Sequence, residues 1–265
     1  MTLPSSYSPA LNHSLARGAR RTAVAAMALA ALAFVDVSGA TAGDMGGKPD
    51  FSGVYMPFGR TVREPAELPF TKAAEKMREE YEKTFTQEDD DPGLFCVPSG
   101  MPGAIWGAPF AIEIFHRPQD LTMYFEAYSQ YRKIYMKDHN PPGAFTSTRM
   151  GYSEAEWDGD TLVIHTDNLM AYPYFNRIPI SSDARIDERL HQEERTDKNG
   201  ETFKVLVDEL TLTDPKVYTQ PIKIHAEARL RPDVYVIEYT CGDTLWEQHM
   251  ADRGIEAPDI DALGQ

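Results

Sequence analysis

The sequence predicts a mainly β fold: an antiparallel up-and-down β-barrel with one early helix. Three observations predict it. From Pro109 onward, apolar and polar residues alternate in short runs, the period-2 signature of strands with one buried face. Turn signals punctuate these runs at Asp158-Gly159, Lys198-Asn199-Gly200 and Arg231-Pro232-Asp233. A single segment, Thr71–Phe85, carries a helical period instead. A meander of short strands closes most readily into a barrel, because closure removes unpaired edges. A β-sandwich is the competing architecture.

The elements follow in order. Arg17, Arg20 and Arg21 precede an apolar run from Ala23 to Val35, and Ala40-Thr-Ala42 comes shortly after. This predicts a signal peptide over residues 1–42, a periplasmic or secreted protein, and one barrel domain over residues 43–265 with no membrane span after cleavage. Phe51–Met56 reads as the first strand. In Thr71–Phe85, Ala74, Met77, Tyr81 and Phe85 share one face, and Thr71 is placed to cap the N-terminus. This helix is expected to plug or cover one barrel mouth. Four adjacent acids, Glu88 to Asp91, read as a solvated loop, since no calcium loop of EF-hand type follows. Residues 93–110, with Leu94, Phe95, Ile105 and Trp106, read as an ordered cover. Strands are expected at Ala111–Phe115, Leu121–Tyr128, Gln130–Met136, Thr161–Asn168, Lys204–Leu212, Ile222–Leu230 and Val234–Cys241.

The whole chain carries a net charge of −15, or −17 without residues 1–42, which hold three Arg and one Asp. Such a surface repels phosphate backbones, so nucleic acid is not an expected partner; a small molecule is. Cys96 and Cys241 are the only cysteines. An even pair in an oxidising compartment reads as a disulfide, here from the early segment to the last expected strand. No nucleotide fingerprint, phosphate loop or G-x-S-x-G is present, and the seven His show no zinc spacing. His116 and His191 are the candidates considered for an axial haem ligand, and one His alone supports no such site. The expectation is no cofactor and no metal.

Asp90-Asp-Pro-Gly-Leu-Phe-Cys96-Val-Pro98-Ser-Gly100-Met-Pro102, Trp157-Asp-Gly-Asp-Thr-Leu-Val163, Glu194-Arg195, Asp214-Pro-Lys-Val-Tyr-Thr219 and Glu238-Tyr-Thr-Cys241 resemble a broad group of exported bacterial β-rich proteins. Phe51-Ser-Gly-Val-Tyr55 is similar to the opening strand of lipocalin-like barrels, with Tyr55 where Trp is usual. The resemblance implies export, a Cys96–Cys241 bond and a lipocalin-like barrel, and it implies no catalytic residue.

Candidate chemistry is sought on strand faces. Thr122, Tyr124, Glu126 and Tyr128 share one face of their strand; Tyr131, Lys133 and Tyr135 share one face of the next, with Gln130, Arg132, Ile134 and Met136 on the other. Tyr beside a carboxylate or guanidinium suits a ligand pocket. The alternative is a Glu126–Arg132 ion pair on the outer wall. His165 stands among Leu, Val and Ile, and an imidazole there suits proton transfer near neutral pH. The expected reaction is a cofactor-independent lyase or isomerase step on a small, partly aromatic or polycyclic substrate. Glu126 or His165 would be the base and Tyr128 or Tyr135 the acid. Arg132 would anchor a substrate oxygen, with Tyr124, Tyr135 and Trp106 lining the site. The alternative is a carrier that binds an apolar ligand unchanged.

Overall fold

The computed structural model describes residues 45–86, 90–105, 109–144, 146–239 and 241–255. The expected signal peptide, Trp106 and the first two acids of the run, Glu88 and Asp89, lie outside the described residues. Nine strands close a barrel: β1 (Gly53–Pro57), β3 (Ile112–Arg117), β4 (Asp120–Phe125), β5 (Gln130–Met136), β6 (Tyr152–Asp158), β7 (Thr161–Asp167), β8 (Arg185–Thr196), β9 (Thr202–Thr213) and β10 (Ile222–Leu230), with β10 returning to β1. A short β2 (Val62–Glu64) extends the same edge, pairing with Lys223–His225 of β10 while β1 pairs with Ala228–Leu230. The mainly β barrel expected from the alternation is thus present.

The strands are not purely antiparallel. β5 and β6 run parallel, with Ile134 opposite Ser153 and Met136 opposite Ala155. A parallel neighbour cannot be reached by a hairpin.

Inward residues follow the pleat. Ile114, Leu121, Met123, Phe125, Ile134, Leu162, Ile164, Ile186, Leu190, Leu210, Leu212, Ile222 and Ile224 are buried in one core. Burying a side chain of this kind is worth about 1.5–3 kcal/mol against exposure, so this inner layer dominates the stability of the fold.

Three expectations are corrected. The expected strand Val234–Cys241 is absent; residues 234–239 form no strand, and α2 (Cys241–Asp252) follows with no buried residue. Both edges of β10 are already taken, by β9 and by β1 with β2, so no edge remains for another strand. β4 ends at Phe125, because Tyr128 (φ 59°) and Ser129 (φ 48°) turn left-handed into β5. β8 lies where no strand was expected; in a run this charged, Ile186 and Leu190 are the only two aliphatic side chains marking the alternation.

The early helix, α1, spans Lys72–Glu82, and the Thr71 hydroxyl accepts from the Ala74 N–H at 3.2 Å. It does not plug the barrel. Only Ala74 is buried and Met77 is 65% exposed. Thr71 docks instead on the loop after β9, donating to the carbonyls of Val217 and Lys216. One buried Ala is too narrow an apolar strip to fill a mouth. Residues 97–105 do that, with Met101 and Ala104 in the core. Gly100 permits it: its φ is +63°, and a Cβ there would meet the Arg149 carbonyl oxygen at 2.3 Å.

The Cys96–Cys241 disulfide forms, with Cα atoms 5.8 Å apart. It joins the short helical turn Pro92–Phe95 to the start of α2, not to a strand. Among the described residues no helix is long and apolar enough to cross a membrane.

Candidate functional site

Three strands each place one charged residue on an otherwise apolar inner face. β5 carries Arg132 beside Ile134 and Met136; β8 carries Glu188 between Ile186 and Leu190; β9 carries Asp208 between Leu206 and Leu210. Strand period 2 sends all three into the lumen. There Arg132 donates to both Glu188 oxygens, at 2.8 and 2.5 Å. Its remaining donors reach the hydroxyls of Ser153 (3.2 Å) and Thr166 (2.7 Å), which bond each other at 2.8 Å. Burial works against the guanidinium charge, and Glu188 outweighs it, so the Arg132 pKa rises. A bidentate, fully hydrogen-bonded pair is the form in which a buried guanidinium is tolerated.

Asp208 has no such match. It is 6% exposed, and no hydrogen-bond donor reaches its Oδ1. Burial first, then the negative charge of Glu188, holds its carboxyl well above the usual carboxylate range, and Arg132 only partly offsets this. An acid buried beside a second carboxylate favours its protonated form, here Asp208.

Asp208 also lines a cavity of about 360 Å³. Met123, Phe125, Ala127, Leu190, Leu206, Ala226 and Ala228 form its barrel side, and Ala104, Ile105, Pro109 and Phe110 its cover. Arg60 stands at its exposed rim. Glu227 reaches it from β10 and is held down to about 2, first by its hydrogen bonds from Arg195. A second cavity of about 460 Å³ shares Ala104, Pro109, Phe110 and Ala127 with the first, and adds Tyr128, Gln130, Tyr172 and Arg177. Burial pushes the Tyr172 hydroxyl up to about 12.

The residues singled out from sequence do not converge. Arg132 is inside, bonded to Glu188, so the expected alternative, an outer-wall pair with Glu126, is absent. Glu126 follows the last residue of β4 as a half-buried turn residue, and its carboxylate accepts from the Ile237 N–H at 3.4 Å. His165 is exposed on the outer wall, paired with Asp187. Tyr124 lies on the outward register of β4, paired across strands with Tyr131. Tyr135 stacks on Tyr152 at 5.7 Å, also on the outer wall. Tyr128 donates to the Gly93 carbonyl at 3.3 Å and lines the second cavity. Burial raises its pKa. Among the described residues no group of three or more His, Cys, Asp and Glu is placed to hold a metal ion.

Glu188, Asp208, Ser153 and Thr166 were not among the sequence candidates. Their signal was present in each strand: an acid or hydroxyl in the apolar register of Ile186/Leu190, of Leu206/Leu210/Leu212, of Ala155 and of Leu162/Ile164. Comparison with known protein families, with curated proteins and with solved structures gives no match for this chain.

Proposed function

We propose that this barrel binds a compact, largely apolar small molecule in the cavity beside Asp208 and holds it unchanged. One observation carries the reading: a cavity of about 360 Å³, apolar on most of its wall, has the buried acid Asp208 in its lining. That combination of apolar wall and sparse orienting groups is the usual character of a ligand site. The lyase or isomerase reading has less support. Acid–base catalysis needs an acid and a base reaching one ligand. Asp208 supplies an acid, but Glu227 is spent on Arg195 and His225, Glu126 bonds the Ile237 N–H and does not line the cavity, and His165 lies on the outer wall. The disulfide fits the periplasmic or secreted setting that the N-terminal sequence suggests.

Fluorescence titration with the neutral apolar dye N-phenyl-1-naphthylamine tests the binding reading. The expected result is a saturable enhancement with the native protein. Ala228→Trp, which fills the cavity, should weaken it by about tenfold or more while the far-UV spectrum is kept. A native protein without saturable binding, or an Ala228→Trp variant binding as tightly, would overturn the reading. Recovery of a chemically altered natural ligand would favour the enzyme instead.

A further inference from the structure

The charges of the lumen do not balance. Arg132 supplies one positive charge, and Glu188 and Asp208 supply two carboxyl groups on the facing strands. The other charged groups around Asp208 are engaged or outside: Glu227 on β10 is bonded to Arg195 and His225, Glu209 points to the opposite face of β9, and Arg60 stands at the exposed rim. The lumen is therefore one positive charge short, and in the empty protein a proton fills the shortage. The group left to hold that proton borders the apolar cavity.

We propose that the cavity takes a compact apolar amine, whose ammonium pairs with the Asp208 carboxylate in its wall. The inference rests on the ligand-binding reading above and names the ligand class for that same site. An ammonium carries one unit of charge and up to three N–H donors, so it can pair with the Asp208 carboxylate at the cavity wall while restoring neutrality. Its apolar body would lie against Phe125, Leu206 and Phe110. A carboxylate ligand would add a second negative charge beside Glu188, with Arg132 already occupied, and is disfavoured. The net charge of −15 steers a cation towards the protein and an anion away. Binding is an exchange: an ammonium enters, and one proton leaves Asp208 for solvent. Amine affinity should then rise with pH, by up to about tenfold per unit, while that proton is still held in the empty protein.

Calorimetric titration with octylammonium, 1-octanol and octanoate, in 0.3 M salt to screen the surface, reads this directly. The expected result is octylammonium binding at least about tenfold more tightly than 1-octanol, and octanoate most weakly. Heats in two buffers of different ionisation enthalpy should show about one proton released per amine bound. Asp208→Leu and Asp208→Asn should each lose the amine preference and the proton release while the far-UV spectrum is kept. Equal binding of amine and alcohol, absence of proton release, or an amine preference surviving in Asp208→Asn would each overturn the amine inference and leave the pocket reading standing. Failure of all three compounds to bind the native protein would overturn both.

Discussion

Asp208 occupies a position where Leu206, Leu210 and Leu212 show what the barrel ordinarily places, and the substitution of an acid for a leucine has a direct thermodynamic signature. Its carboxyl is raised in the folded protein, chiefly by burial, and returns to about 3.9 when the chain unfolds. Between those two values the folded state holds a proton that the unfolded state has released. Stability from this group is therefore fully present below about pH 4 and is lost as pH rises towards the folded value, by about 1.4 kcal/mol per unit. Most carboxylates act in the opposite sense: Glu227, held to about 2, contributes stability above the unfolded value that is lost as pH falls. The stability gap between Asp208→Asn and the native protein should thus widen in favour of the variant from pH 4.5 to 7, measured by urea unfolding. Parallel curves would mean that Asp208 is not protonated in the fold. Arg132 is different in kind. Removing it would leave two acids buried without a cation, a change costing about 3–5 kcal/mol in comparable buried pairs.

At the scale of elements, α1 was legible because its period and its Thr71 cap are local properties. Its boundaries, Lys72–Glu82, fall inside the expected Thr71–Phe85. Its packing was not legible, since the face of Ala74, Met77, Tyr81 and Phe85 finds only loop partners such as Phe175. With so little buried, the helix should depend on its cap: Thr71→Ala also removes the bond to the Lys216 carbonyl and should cost about 1 kcal/mol, read as a lower urea midpoint. An unchanged midpoint would show that the helix contributes nothing to the cooperative unit. β8 shows the reverse failure. Its charged outer face hid it, and its inner residues Ile186, Glu188 and Leu190 gain meaning only when β7 and β9 flank them.

For the molecule as a whole, closure decides most. The ring β9–β10–β1 leaves no free edge, which turns the expected last strand into the coil that leads to α2. Tyr239 in that coil packs on Tyr128 and Phe110, two residues that line the cavities, and the disulfide fastens its far end. The bond spans 145 residues, a loop holding every strand from β3 to β10. Cys96→Ser with Cys241→Ser should lower the unfolding free energy by about 2–5 kcal/mol, mainly through the unfolded state, with the β signal of the far-UV spectrum retained. A loss of that signal would mean that the bond is needed to form the barrel itself.

The sequence by itself determined which residues alternate, where one helix starts, that two cysteines stand ready to pair, and that a barrel is the economical way to end a long run of strands. These are properties of neighbours in the chain, set by the pleat, the helical period and the turn residues. It did not determine which face looked inward on Leu121–Tyr128, or that Arg132 would meet Glu188, 56 residues away, rather than Glu126 close by. Both faces of those strands mix polar and apolar groups, and a shift of one residue in register would exchange them. Only the closed barrel fixes that choice. Closure brings β5, β8 and β9 around one lumen, removes water, and makes a single unmatched acid the feature on which the proposed site depends.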